Sequence, residues 1–145
     1  MEDLLGYGEV LSIDVSQDYF MAEHLRIRKI TGGCSDPDVL REVQQLSKKR
    51  VMVIHDGDHT AAAVERDLRL YTDFVSPGLY LIIEDGAVDL LSLKYSKLGR
   101  AYPGGGPLNG ARRVYEDMKD RFEIDDLIVF LYHCYFTAPS AVARG

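Results

Sequence analysis

Residues 51–60, VMVIHDGDHT, decide the fold of this chain. Four apolar residues in succession are typical of a central strand covered on both faces of a parallel sheet, and polar residues follow at once. Residues 75–85, VSPGLYLIIED, repeat this arrangement, with an apolar run that ends at Glu84 and Asp85. The segment between the two runs has the apolar spacing of a helix over about 60–74, so the pattern predicts a β-α-β unit.

The flanking sequence extends this unit into an α/β domain with a mostly parallel sheet. Further strands are predicted over 10–15 and 27–31, and a closing, antiparallel pair over 122–125 and 129–137. Helices are predicted over 17–25, from Pro37 and from Pro107. The apolar positions of the three longer helices are expected to face the core: Leu40, Val43 and Leu46; Val64, Leu68 and Tyr71; Leu108, Ala111, Val114, Tyr115 and Met118. The long stretch between Gly86 and Gly106 is expected to be a binding loop, a lid or a disordered segment.

Composition narrows the class of protein. The 145 residues favour a single domain over 1–145, and the net charge of −6 argues against binding to nucleic-acid phosphates. Cys34 and Cys134 form no metal-binding pair and are expected to be reduced thiols. The acidic start predicts no signal peptide, and the apolar run 127–136 is too short to span a bilayer, so a cytoplasmic protein without a membrane partner is expected.

Acidic residues end the predicted strands. Asp14 lies at the end of the first predicted strand, and a carboxylate at such a position suits the vicinal hydroxyls of a ribose. The alternative is an aspartate that only stabilises a turn. Ser35 and Asp36 follow Gly32-Gly33 after the next strand and form a weak candidate for an adenine pocket.

Asp56, Glu84 and Asp85 form the sharper candidate site. Three carboxylates on neighbouring strand ends repel one another unless a cation lies between them, and oxygen ligands favour Mg²⁺, Ca²⁺ or Mn²⁺. His59 lies beside them and could act as a general base. The alternatives are ordinary local roles, such as an Asp85-Gly86 turn or a histidine that only bonds a carboxylate. Gly104-Gly105-Gly106 lacks a phosphate-loop pattern and is expected to be a hinge.

The order of these motifs resembles the cephalosporin hydroxylase family, related to rhamnosyl O-methyltransferases. The resemblance rests on residues 51–60, on Asp67-Leu68 and Tyr71, and on residues 75–85, and it covers nearly the whole chain. It implies a Rossmann-like methyltransferase fold, a three-layer α/β sandwich. Members begin with a strand and a glycine-rich loop for the cofactor, and this sequence is expected to lack both, leaving an incomplete methyltransferase-like domain.

The resemblance also implies roles for individual residues. Asp14 would bind the ribose of S-adenosylmethionine, with Ser35, Asp36 and Asp56 also at the cofactor. Asp56, Glu84 and Asp85 would be Mg²⁺ ligands, and His59 would lie near the position of the catalytic base. The implied reaction is direct methyl transfer to a hydroxyl oriented by Mg²⁺.

Two hypotheses of function follow. The first is a Mg²⁺-assisted, S-adenosylmethionine-dependent O-methyltransferase-like protein that acts on a hydroxyl of a small natural product or sugar. The second is a catalytically silent, truncated α/β module that works by association, with another copy or a second chain completing the sheet. A receiver-type domain is disfavoured, because it needs an acidic pair at the first strand and a lysine at a later one.

Overall fold

The computed structural model describes residues 7–46, 50–92, 102, 104–125 and 135–137. The chain divides into two compact units, Met1–Lys48 and Lys49–Gly145, and both contain strands and helices. The α/β class predicted from the apolar pattern is confirmed. None of the described helices has the length and apolar character needed to cross a bilayer.

The first unit is a parallel strand pair followed by a helix. Strand β1 (Val10–Asp14) pairs with β2 (Ile27–Thr31), and Asp14 lies opposite Thr31 at their shared carboxyl end. Helix α1 (Pro37–Leu46) begins at the predicted proline and buries Val39 and Val43. The inward face was predicted as Leu40, Val43 and Leu46; Leu40 and Leu46 are only partly buried, so the buried face begins one residue earlier.

The helix predicted over 17–25 is wrong, because the described residues there form turns and extended chain. Its large apolar side chains are exposed, Tyr19 by 94% and Leu25 by 103%, so a helix would have no apolar surface against which to pack. The Gln17 side chain instead donates hydrogen bonds to the carbonyls of Ser12 and Ile30, which links this segment to the strand pair.

The second unit is a four-stranded mixed sheet with helices. Its order is β3-β4-β6-β5, in which β3 and β4 are parallel and the β4–β6 and β6–β5 pairs are antiparallel. The antiparallel closing pair is therefore confirmed, although residues 129–134 of the predicted last strand lie outside the described residues. The elements in chain order are β3 (Val53–His55), α2 (Ala61–Tyr71), β4 (Tyr80–Ile83), α3 (Ala87–Ser92), α4 (Pro107–Met118), β5 (Glu123–Ile124) and β6 (Tyr135–Thr137).

The core of this unit lies between the sheet and the helix pair α2 and α4. It contains the predicted Val64, Leu68, Ala111 and Val114, together with Leu81 and Ile83 of β4. Gly110 allows the two helices to approach closely, since a Cβ atom at this position would lie 2.5 Å from the Ala61 carbonyl oxygen. This contact fixes α2, and with it the loop that precedes α2.

Two predictions for this unit need correction. Strand β3 was predicted to be central and covered on both faces, but it is the outermost of the described strands of its sheet, and Met52 and Ile54 are 39% and 41% exposed. The stretch after Gly86 begins with helix α3 rather than a loop; residues 93–101 and 103 lie outside the described residues.

Candidate active site

A short loop between β3 and α2 carries the first two candidate residues, Asp56 and His59. Helix α2 begins sharply, because the Thr60 side chain accepts a hydrogen bond from the Ala63 N–H. Asp58 accepts the Thr60 N–H at 2.9 Å, which is the local role expected of a helix-start aspartate. The loop is thereby held at its helical end, and only a few residues separate the strand from the helix.

The end of β4 carries Glu84 and Asp85 beside this loop. The Glu84 N–H donates to the His55 carbonyl at 3.0 Å, so hydrogen bonding between the two strands continues up to the acidic residues. Asp85 has a φ of 58°, the left-handed conformation that costs a non-glycine residue energy. Such strained residues cluster at binding and catalytic sites, and aspartate is one of the few types that tolerates the conformation.

Three of the predicted site residues converge. The His59 Nε2 atom lies 3.4 Å from the Asp56 Oδ1 atom and 3.5 Å from the Asp85 Oδ2 atom. One ligand atom from each residue lies within 4.8 Å of the other two. The parallel pairing of β3 and β4 explains this, because it brings both strand ends to one edge of the sheet.

The imidazole of His59, at the centre of this cluster, lacks a hydrogen-bond partner for one ring nitrogen in the part of the chain that the structure describes. The His59 Nε2 atom is buried and has no aligned hydrogen bond among the described residues, although two carboxylate oxygens lie within 3.5 Å. A buried polar atom without a partner is costly, and a catalytic role or a bound ion is among the reasons for which a protein keeps one. The arrangement is that of donor atoms gathered around a small space.

Glu84 lies close enough to the Asp56 and Asp85 carboxylates for their charge to affect its pKa, but it contributes no atom to the three-residue group. Partial desolvation, then the carboxylates of Asp56 and Asp85, raise the pKa of Glu84 above its ordinary value of 4.5, and His59 partly opposes them. The metal-ligand role predicted for Glu84 therefore stays a prediction. A divalent cation between the carboxylates would relieve the repulsion that raises this pKa.

The donor set at this edge fits a hard divalent cation. Asp56 and Asp85 supply carboxylate oxygens, the ligand type that Mg²⁺ prefers, and Glu84 adds a third carboxylate nearby. The unpartnered His59 nitrogen faces the same oxygens. Two carboxylates and an imidazole form the group, a donor set that fits Mg²⁺ or Mn²⁺ better than a metal held by thiolates.

The predicted cofactor residues Asp14, Ser35 and Asp36 lie in the first unit. Asp14 ends β1, is exposed, and its Oδ1 atom accepts the Ser16 N–H at 3.0 Å, so one oxygen takes part in a local turn. The Asp36 side chain accepts the Gly33 N–H at 2.8 Å and thereby holds the loop after β2, in which Ser35 also lies. These geometries fix both carboxylates near strand ends, and their cofactor roles stay predictions.

Two site neighbours were not predicted from the sequence. The ring of Tyr102 meets the His59 ring edge-on, with 6.4 Å between the centroids. Asp89 of α3 accepts hydrogen bonds from the backbone of Gly106 and Asn109 at the start of α4. The sequence signal for Asp89 is weak, because its partners lie 17 and 20 residues away.

A family profile described as rhamnosyl O-methyltransferase/CmcI matches residues 1–139. The chain belongs to this family. The resemblance drawn from the residues around Asp56 and Asp85 is therefore confirmed. Comparison with curated proteins gave no significant match.

Solved structures of the MycE methyltransferase from the mycinamycin biosynthetic pathway are similar in fold. One, in complex with Mg and SAH, is 22% identical with a TM-score of 0.60; another, with mycinamycin VI as well, has the same values, and a second crystal form is 21% identical. Each covers 95% of this chain, but the chain spans only 38% of the MycE chain. This similarity supports the Rossmann-like methyltransferase fold for the family member described here.

Proposed function

We propose that this protein is a Mg²⁺-assisted, S-adenosylmethionine-dependent O-methyltransferase that acts on a hydroxyl of a small natural product or sugar. The observation that carries the proposal is the convergence of Asp56, His59 and Asp85 at the edge of two parallel strands. Membership of the rhamnosyl O-methyltransferase/CmcI family and the Mg, SAH and macrolide complexes of MycE support it.

In this proposal the carboxylates hold the cation and the imidazole handles the proton. Asp56 and Asp85 hold Mg²⁺, and Glu84 is the third carboxylate within reach. Mg²⁺ prefers oxygen ligands, which leaves His59 available as a general base. When bound, the ion supplies Lewis-acid activation of the acceptor hydroxyl.

In this proposal the acceptor hydroxyl gains a methyl group and loses a proton. When bound, S-adenosylmethionine would supply the methyl group; its transfer to the hydroxyl oxygen would break the carbon–sulfur bond of the sulfonium and give a methyl ether and S-adenosylhomocysteine. The hydroxyl proton passes to the His59 nitrogen that lacks a partner. Tyr102, at the edge of the His59 ring, helps to keep the imidazole in place.

The nucleoside part of the cofactor is assigned to the first unit. Asp14 is proposed to bind the ribose hydroxyls through the carboxylate oxygen that the Ser16 N–H does not occupy. Ser35 and Asp36 are proposed to line the adenine pocket, and Asp56 to contact the cofactor as well as the cation. Because the family match runs through both units, we also propose that residues 1–145 form one methyltransferase-like domain.

Titration calorimetry of the full chain tests the proposal. Mg²⁺ is titrated first, and S-adenosylmethionine is then titrated with and without Mg²⁺. Binding of both ligands is expected, with Mg²⁺ binding lost in a D56N/D85N double variant. A chain that binds neither ligand would overturn the enzyme hypothesis.

An Asp58→Asn variant provides the matched control. Asp58 lies in the same loop and carries the same charge, but its carboxylate accepts the Thr60 N–H, a bond that asparagine can also accept. Its Mg²⁺ binding is expected to equal that of the wild type. An equal loss in D58N would show that the titration measures general acidity rather than a built site.

A second candidate function is association through the sheet. Strand β3 has no described neighbour on its outer side, and Met52 and Ile54 are partly exposed beside it. Unpaired strand edges with apolar neighbours favour pairing with another chain. Light scattering after size exclusion distinguishes this function: a strict monomer that binds S-adenosylmethionine supports the enzyme alone, whereas a stable oligomer without ligand binding supports association.

A further inference from the structure

His55 is a buried histidine that the proposed chemistry does not use. Its side chain is only 9% exposed, and it lies on the α2 side of β3, as strand alternation predicts. Its Nε2 atom lies 3.3 Å from the Oδ2 atom of Asp67, a carboxylate in α2 that is 1% exposed. A buried acid of this kind requires partners, and Arg66 supplies a second one at 2.8 Å.

This contact links β3 and α2, the two elements that flank the loop carrying Asp56 and His59. His55 is the last residue of β3 and Asp67 lies in the helix that begins directly after the loop. The imidazole also supports the loop from below, because a Cβ atom on Gly57 would lie 3.7 Å from the His55 Cε1 and Nε2 atoms. The His55 carbonyl meanwhile accepts the Glu84 N–H of the neighbouring strand.

We infer that His55 and Asp67 are positioning residues for the cation site, fixing the height and direction of the Asp56 backbone relative to Glu84 and Asp85. The inference rests on the proposed function, since it needs a cation at this edge. The His55 Nδ1 atom has no hydrogen-bond partner among the described residues. The ring is therefore oriented by its single polar contact with Asp67 and by packing against Gly57.

The proposed positioning role differs from that of a metal ligand. Neither His55 nor Asp67 belongs to the group of candidate ligand atoms. Outer partners that orient metal ligands typically change affinity by roughly ten- to a hundredfold when they are lost. A buried pair with a merely structural role would lower the melting temperature and leave cation affinity unchanged.

The test compares His55→Leu with His55→Gln in the full chain. Leucine fills the space but removes the contact with Asp67, whereas glutamine keeps a donor near the Nε2 position. Mg²⁺ affinity is measured by calorimetry, and the spectrum of bound Mn²⁺ by electron paramagnetic resonance. H55L is expected to weaken Mg²⁺ binding by about tenfold and to alter the Mn²⁺ spectrum, with both recovering in H55Q.

A Val114→Ala variant controls for stability, because Val114 is buried in the same unit, in helix α4. V114A is expected to melt earlier with unchanged Mg²⁺ affinity. If H55L does not fold, Asp67→Asn, which keeps the shape of the side chain, decides in its place, with weaker Mg²⁺ binding expected.

The outcomes separate the two proposals. A wild-type chain that does not bind Mg²⁺ or Mn²⁺ overturns the cation site and this inference together. A wild-type chain that binds, with H55L or D67N binding equally well and giving the same Mn²⁺ spectrum, overturns the positioning role alone.

Discussion

Three strand ends in this protein carry aspartates, and the surroundings of these aspartates differ between the two units. Asp14 ends β1 in the first unit, is exposed, and contacts the backbone of Ser16 two residues away. Asp56 and Asp85 follow neighbouring strands of the second unit and meet around His59. A single acidic strand end forms a turn by itself, whereas two parallel neighbours bring their carboxylates together, the arrangement that we propose holds a cation.

The largest expected effect is on the free energy of unfolding, and it comes from comparing a buried leucine of the second unit with an exposed leucine of the first. Leu68→Ala in α2 removes a fully buried side chain and is expected to lower the free energy of unfolding by about 2–5 kcal/mol. Leu25→Ala in the exposed turn segment is expected to change it by less than about 0.5 kcal/mol. Urea denaturation measures both. Equal effects would show that residues 17–25 are packed in solution.

The next prediction compares the ligands bound at the acidic strand ends of the two units. Asp85→Asn is expected to weaken Mg²⁺ binding by about a hundredfold, at the upper end of losses for residues that only orient ligands. Asp14→Asn is expected to leave Mg²⁺ binding unchanged and to weaken S-adenosylmethionine binding. Calorimetry with each ligand separates the two; a loss of Mg²⁺ binding in D14N would contradict the division of roles.

A smaller effect concerns the pH dependence at Glu84. Since its pKa is raised above 4.5, the folded chain holds this proton more tightly than the unfolded chain, and the favourable contribution is lost as pH rises above 4.5. Without divalent cations, Glu84→Gln is therefore expected to raise the melting temperature slightly at pH 7.5 and not at pH values well below 4.5.

Adding saturating Mg²⁺ sharpens this prediction. If Glu84 is a ligand, the wild type gains more stability from the ion than E84Q, and the order of the two melting temperatures reverses. Scans in chelator and in Mg²⁺ give both comparisons. An unchanged order would remove Glu84 from the ligand set and leave Asp56 and Asp85 in it.

The smallest effect is expected at the exposed ion pairs between α2 and α4. Arg69 contacts Glu65 at 3.0 Å and Asp117 at 2.6 Å, and hydrogen bonds from Arg69 and Arg113 lower the pKa of Glu65. Arg69→Met is expected to lower the melting temperature slightly in dilute buffer and hardly at all in 1 M salt, since ions screen such pairs. A salt-independent loss would indicate a packing defect instead.

Apolar periodicity predicted most of the second unit. Val64, Leu68 and Tyr71 are buried as their helical spacing requires, and the Asp56–His59 and Glu84–Asp85 segments lie together because parallel strands share an edge. These features depend on local pattern and on one general property of sheets. The family resemblance added candidate roles but not the distances.

What the sequence did not show depends on contacts between distant residues. The segment 17–25 was predicted to be a helix, yet its side chains Tyr19, Met21 and Leu25 are exposed, and burial cannot be read from composition. The His55–Asp67 contact left a detectable trace, since Asp67 is an acid on the apolar face of α2. The only sequence signal for the left-handed conformation of Asp85 was the Asp85-Gly86 pair, which occurs in many turns.

The bond between Asp89 and the start of α4 has a consequence for the length of chain between them. Asp89 meets Gly106 at 2.6 Å, so the chain leaves and returns at nearly one point. For a flexible connection, doubling its length costs only about 0.6 kcal/mol of closure entropy. A change in the number of residues between these two anchors is therefore expected to cost little closure entropy and to leave the contact of Asp89 with the start of α4 in place.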